Sequence, residues 1–350
     1  MKATRSNNRT STKEPPVAKR GRLRKARSAV ESKKMKIRVV SLFCGAGGLD
    51  LGFRRAGLSV VWANDFDADC VETYLTNVDP AVVYGDISKV DVSTIPDCDV
   101  VVGGFPCQGF SLANLRRHGD DERNSLYRQF LRVLRAKRPA YFVAENVRGL
   151  LSLEGGEVAK EIVKGFERCG YRVRYRVLNA ADYGVPQTRN RVIFLGTRSD
   201  IAVEQDVSFP VPTHSRKATG SLLPWVSVAE ALRSIPEPDA EHLLKNHVCS
   251  QYKVTNRNFT GHRATDGTKP SPTILARGNG RGGVCAIQHP GNHRRMSVRE
   301  SASVQTFPLD FEFAGKLNSM YRQVGNAVPV VLAERIGNEI MRAFVKRKTT

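Results

Sequence analysis

Asp99-Val-Val-Val-Gly103-Gly-Phe-Pro-Cys107-Gln-Gly-Phe-Ser111 runs from an apolar segment straight into a thiol. Val100–Val102 reads as a buried parallel strand. A cysteine directly after a proline, at the carboxyl end of such a strand, stands where open α/β sheets place their chemistry. The glycines on either side let another backbone or a flat ligand come close. If Cys107 is a nucleophile, the rest of the chain has to supply a cofactor site and an acid.

Working outward, strands and helices alternate. Arg38–Phe43, Leu58–Ala63, Val82–Tyr84, Asp99–Gly103, Tyr141–Ala144, Tyr171–Leu178 and Val192–Leu195 read as strands. Helical stretches fall between them, to about Ala56, through about Asn77, at Ser125–Ala136 and at Glu157–Arg168. That alternation predicts a doubly wound, mostly parallel sheet. It stops near Arg198. From 201 to 292 the chain is rich in Pro, Gly, His and Asn, which predicts a small loop-rich domain. Periodicity returns in 293–350, with a closing helix at Val330–Val345.

Charge narrows the partners. Residues 1–36 hold 13 Lys and Arg against Glu14 and Glu31, a polar basic tail expected to be disordered. The net charge of the whole chain is +21, and +10 of it stays with 37–350. A protein this basic most often meets a polyanion. No apolar run is long enough to span a bilayer, and the leader lacks the apolar segment of a secretory signal. Seven scattered cysteines with no Cys-x-x-Cys pair argue against zinc and disulfide frameworks, and point to reduced thiols in a cytoplasm.

Several constellations carry chemistry. Phe43-Cys-Gly45-Ala-Gly47-Gly48 is a glycine-rich turn between a strand and a helix, where backbone amides can meet a ligand. Asp65 lies 20 residues after Gly45, the offset of a ribose-gripping carboxylate. Phe66 is either an adenine-stacking ring or a core aromatic. Asp86, before Ile87, is either an acceptor for an exocyclic amine or a helix cap. Glu145-Asn-Val147 puts a carboxylate at the rim that Cys107 occupies. Gln187-Thr-Arg189-Asn-Arg191 alternates its long polar side chains on one face. Two arginines beside a glutamate make either a structural network or an anion clamp.

Taken together and in this order, these motifs resemble the DNA (cytosine-5)-methyltransferase family, with Arg299-Glu-Ser301, Gln305-Thr-Phe-Pro308 and Gln323-Val-Gly-Asn-Ala-Val-Pro329 added to them. The resemblance covers about 38–198 and 294–345. It implies a Rossmann-like S-adenosylmethionine-dependent sheet, formed by 37–200 and completed by 293–350, with 201–292 as target-recognition domain. Cys107 is then the thiolate that adds to carbon 6 of a flipped-out cytosine, and Glu145 the acid at N3, which must be protonated. Arg189 and Arg191 orient that glutamate and contact the base oxygen.

Phe43, Gly45, Gly47, Gly48, Asp65, Phe66, Asp86, Ile87, Pro106, Leu126 and Asn326 match family positions that line S-adenosyl-L-methionine. Arg116 and Arg117 fall in the loop expected to close over DNA. In the recognition domain Thr273–Leu275 resembles a family signature, followed by Arg277, Asn279 and Arg281 as candidate base or phosphate contacts. The resemblance further implies a monomer acting on double-stranded DNA, paired with a restriction endonuclease that reads the same site. A transfer-RNA cytosine methyltransferase and an inactive DNA-binding protein are the competing readings. A nicotinamide dehydrogenase fits the glycine spacing poorly.

Overall fold

The computed structural model describes residues 36–78, 81–105, 125–250, 265–276, 287–291 and 294–349. Seven strands form one sheet: β1 (Arg38–Leu42), β2 (Ser59–Asp65), β3 (Val82–Tyr84), β4 (Val100–Gly103), β5 (Tyr141–Val147), β6 (Tyr171–Asn179) and β7 (Asn190–Arg198). Their order is β3-β2-β1-β4-β5-β7-β6. β1 to β5 pair in parallel, and β7 inserts antiparallel to both β5 and β6. The strand order reverses between β1 and β4, the point where an open α/β sheet leaves a crevice beyond its carboxyl ends.

Both sheet faces are covered, which is why β4 and β7 read as unbroken apolar runs rather than alternating ones. Val39, Val60, Val102, Val143 and Ile193 face one apolar cluster, shared with helices α1 (Gly48–Arg55) and α2 (Ala68–Asn77). Val40, Leu42, Val101, Phe142 and Phe194 face the other, under α3 (Ser125–Lys137) and α4 (Glu157–Glu167). The second cluster is strongly aromatic: Phe105 meets Tyr127 at 5.4 Å and Phe130 at 6.2 Å, and Phe142 meets Phe166 at 4.5 Å. Phe105 is therefore an anchor at the last described residue before Pro106 and Cys107.

Beyond β7 the described chain is irregular, with two-residue strands β8 (His214–Ser215) and β9 (Leu223–Pro224) and a short helix α5 (Val228–Leu232). It is not separate from the sheet's core: Ile201, Val207, Val228, Leu232, Ile274 and Ile287 join the first cluster. The edge strand β6 fastens this exit. Arg172, Arg174 and Arg176 alternate along it and engage, in turn, Asp206, the Val207 carbonyl and the Phe209 ring. Much of the basic charge here clamps the chain's own backbone.

Helices α6 (Val298–Val304), α7 (Leu317–Asn326) and α8 (Val330–Thr349) bring the chain back to the sheet. A methyl group on Gly52 of α1 would stand 2.4 Å from the Ala333 Cβ of α8, so the two helices touch backbone to backbone. α6 opens with a full capping box, Ser297 with Glu300. Arg299, fully buried, donates to the carbonyls of Lys245, Pro308 and Phe311. The Arg299-Glu300 pair is thus architectural.

Candidate active site

Two loops meet at the reversal of strand order. After β1, Phe43, Gly45 and Gly47 take φ of +54°, +54° and +84°, and the turn delivers Gly48 to the start of α1. Asp65, at the end of β2, holds the turn from the side. Its Oδ2 accepts from the Gly45 amide at 2.8 Å, and its Oδ1 accepts from the Asp67 amide at 2.9 Å. Burial raises the Asp65 carboxyl above the usual range, and these amide donors pull it back. Each oxygen keeps a lone pair for a ligand. Over Gly45 and over Gly85, the residue after β3, a Cβ would meet nothing within 4 Å. The crevice is open there.

Phe66 is 68% exposed, so it is a ring offered at the rim and not a core aromatic. Asp86 caps the turn after β3, accepting from the Ser88 amide at 2.8 Å. That hydrogen bonding to Ser88 lowers its pKa. The structure shows the cap, the alternative weighed from sequence. Ile87 is buried, and Leu126 packs half-buried against the same aromatic cluster. Asn326 is exposed at the last position of α7. The chain just beyond it lies on the turn: a Cβ on Gly48 would stand 2.5 Å from the Val328 carbonyl oxygen. Asn64, which sequence reasoning missed, ties the ends of β2 and β3 together by donating to the Val83 and Gly85 carbonyls, both at 2.9 Å.

On the other side of the reversal, β4 and β5 end side by side, with Gly103 opposite Ala144. Glu145 follows directly. A Cβ on Gly104 would stand 3.0 Å from its Oε2, so the carboxylate lies against the chain just after β4. Asn146 holds that stretch, donating to the Phe105 carbonyl at 2.9 Å while its Oδ1 accepts from the Val147 amide at 2.8 Å. Its role was missed as well. A buried amide side chain on a strand end was the available signal.

The two arginines part company. Arg191 Nε meets Glu145 Oε1 at 2.8 Å, with both side chains about nine-tenths buried. Glu145 is therefore half of a buried ion pair in this structure. Arg189 makes no hydrogen bond to Glu145. Its Nη1 and Nη2 donate to the carbonyls of Ile274 and Gly325, each at 2.9 Å, and it is 1% exposed. The chain before β7 turns Arg189 into the interior, where two backbone carbonyls take both ends of its fork.

None of the five described cysteines is set up as a nucleophile. Burial pushes the thiols of Cys44, Cys70, Cys98, Cys169 and Cys249 up, that of Cys98 to about 12. Pro106, Cys107, Arg116, Arg117, Arg277, Asn279 and Arg281 lie outside the described residues, as does the basic tail before Lys36.

A strand-order reversal with a glycine turn and Asp65 on one side, and the Glu145–Arg191 pair beside Gly104 on the other, fits an α/β group-transfer enzyme. The chain is 38% identical over 345 residues to a type II methyltransferase of Neisseria gonorrhoeae, M.NgoFVII, covering 92% of this chain and 91% of the relative. It is 36% identical to M.BspRI of Lysinibacillus sphaericus, covering 89% and 83%. Its fold matches the Schizosaccharomyces pombe Dnmt2 methyltransferase with a TM-score of 0.66 at 19% identity, over 89% of this chain and 99% of that one. Residues 37–342 match the model of the C-5 cytosine-specific DNA methylase family, and the chain belongs to that family. It is a DNA cytosine-C5 methyltransferase.

Proposed function

We propose that this chain is the site-specific modification enzyme of a restriction–modification system. It would methylate carbon 5 of a cytosine flipped out of duplex DNA, with S-adenosylmethionine as donor. The observation that carries this reading is the buried Glu145–Arg191 pair against Gly104, just after β4. A pyrimidine needs just such a partner, because carbon 5 of cytosine is a poor nucleophile until a thiolate has added at carbon 6.

The cofactor site fits its ligand. The turn Phe43–Gly48, with Asp65, Phe66, Asp86 and Asn326 around the crevice, would hold a nucleoside: amides at a helix start, a carboxylate for the ribose, and an exposed ring for the base. S-adenosylmethionine, when bound, supplies an electrophilic methyl group. Everything else falls to the chain. Cys107 adds to carbon 6, and the electron pair displaced from the 5,6 double bond moves toward N3. Glu145 donates a proton there, with Arg191 steadying the carboxylate that remains. Carbon 5 would then take the methyl group as the methyl–sulfonium bond breaks to leave a neutral thioether; N3 returns its proton to Glu145, and loss of the carbon 5 proton to a base restores the double bond and expels the thiolate. Ile87, Pro106 and Leu126 are read as further residues lining the cofactor.

Residues 201–292 are read as the target-recognition region, with Arg277, Asn279 and Arg281 toward the bases or phosphates, and Arg116 and Arg117 in the loop that covers the duplex. A cognate endonuclease would act on the same site without a stable complex, and the enzyme would work as a monomer. No described helix is long and apolar enough to cross a membrane. Bisulfite sequencing of a plasmid from an expressing host should reveal one short sequence protected at a single cytosine. Transfer of labelled methyl to transfer RNA but not to duplex DNA would overturn the reading.

A further inference from the structure

We propose that Arg189 is a positioning residue that makes duplex DNA and cofactor bind with positive coupling, on the reading above that residues 201–292 engage DNA and Asn326 faces the cofactor. Five buried hydrogen bonds close into a ring through Arg189. Ile274 N–H donates to Gln187 Oε1 at 3.0 Å. The Ile274 carbonyl accepts from Arg189 Nη1 at 2.9 Å, and the Gly325 carbonyl accepts from Nη2 at 2.9 Å. Gln305 Nε2 donates to the Val324 carbonyl at 2.7 Å, and Gln305 Oε1 accepts from Gln187 Nε2 at 2.9 Å. Gln187 and Gln305 are fully buried and Arg189 almost so.

The ring joins three pieces of the enzyme. Ile274 lies in the segment just before Arg277. Gly325 and Val324 are in the last turn of α7, so Arg189 and Gln305 cap the free carbonyls of the helix that ends in Asn326. Gly325 is pressed against the recognition segment, since a Cβ there would stand 2.4 Å from the Ala276 nitrogen. Two residues along the chain, Arg191 holds Glu145.

Nothing in this arrangement asks Arg189 to touch the base. Among the described residues no carboxylate hydrogen-bonds Arg189, Glu145 being held by Arg191, and the Arg189 Nε is buried without a hydrogen bond. Burial and the neighbouring Arg191 charge both push the guanidinium well below its ordinary range. What the residue offers at this place is the geometry of its fork. Only the planar fork reaches two carbonyls from segments 85 and 136 residues away. Any state of the recognition segment that displaces the Ile274 carbonyl loosens α7 and the approach to Arg191 together. DNA that seats Ile274 therefore favours the cofactor-ready position of Asn326, and by reciprocity cofactor favours DNA.

The test uses the full chain, S-adenosylhomocysteine as probe, and a duplex carrying the site found by bisulfite sequencing, with calorimetric affinities for each ligand alone and with the other saturating. In the wild type the duplex should tighten probe binding about tenfold. Arg189→Lys keeps the charge but not the fork. It should bind the probe alone about as well as the wild type, with coupling reduced to about onefold and kcat lowered more than the KM for DNA is raised. Should Arg189→Lys not fold, Thr273→Val carries the test. It removes the neighbouring Thr273 Oγ1 donation to the Thr188 carbonyl, 2.7 Å, and should weaken coupling about threefold. A wild type that methylates the duplex without coupling overturns the proposal, as does unchanged coupling in either folded variant. A wild type that neither binds nor methylates the duplex sinks the DNA reading instead.

Discussion

The glycine turn at Phe43–Gly48 and the polar clasp at Gln187–Arg189 do comparable jobs by opposite means. The turn is local: its backbone conformation is built into six consecutive residues, and one carboxylate 20 positions on completes it. The clasp is assembled from residues 187, 189, 274, 305, 324 and 325, and several of its acceptors are backbone carbonyls. The first tolerates distant change and fails by local strain. The second holds distant segments together and fails when any one of them moves.

Breaking the chemistry itself should give the largest effect and fall outside both regions. Glu145→Gln keeps the size but not the acid, and should lower kcat about 10²- to 10⁴-fold in a labelled-methyl assay, with fold and cofactor affinity intact. In the clasp, Arg189→Met leaves the Ile274 and Gly325 carbonyls buried without donors. It should cost about 2–5 kcal/mol in denaturant unfolding, and a loss below about 0.5 kcal/mol would mean the clasp is ornamental.

The turn rests on a buried carboxyl that sharpens the contrast. Asp50, in the first turn of α1, is fully buried, accepts from Tyr74 Oη at 2.8 Å, and is raised to about 6 by burial. A carboxyl raised on folding favours the native state while it is neutral. That contribution is complete below about pH 4 and is lost as pH rises to about 6. Asp50→Asn should therefore gain up to about 3 kcal/mol at pH 7.5 and nothing at pH 4, measured by urea unfolding at both pH values. The smallest effects belong to the turn's own ligand contacts. Asp65→Asn should raise the KM for S-adenosylmethionine about tenfold with kcat near wild type. An equal fall in kcat would move Asp65 from binding into chemistry.

The same contrast explains what could be read in the sequence. Strands such as Val100–Gly103 and Tyr141–Val147 announce themselves by apolar content. The glycine turn and Asp65 are legible because local geometry demands those residues. That an arginine would stand beside Glu145 was legible, since a carboxylate on a buried strand end needs a cation; that it is Arg191 was not. Nor was the role of Arg189, two residues from Arg191 and identical in type. Alternation places both on one face, but partners 85 and 136 residues away decide what each one does, and a carbonyl acceptor leaves no mark on the sequence. Asn146 and Asn64 escaped for the same reason, since both donate only to backbone carbonyls. The antiparallel entry of β7 between β5 and β6 is likewise a matter of pairing, not of composition.

The most direct test of the whole account is a covalent trap. A duplex with 5-fluorocytosine at the methylated position cannot lose its carbon 5 substituent as a proton, so the thiolate cannot leave once the methyl group is in place. With S-adenosylmethionine present, the wild type should form a denaturation-resistant adduct that mass spectrometry maps to Cys107, and Cys107→Ser should form none while still binding the duplex. An adduct at any other cysteine, or methylation of ordinary duplex with no adduct on the fluorinated one, would contradict the mechanism.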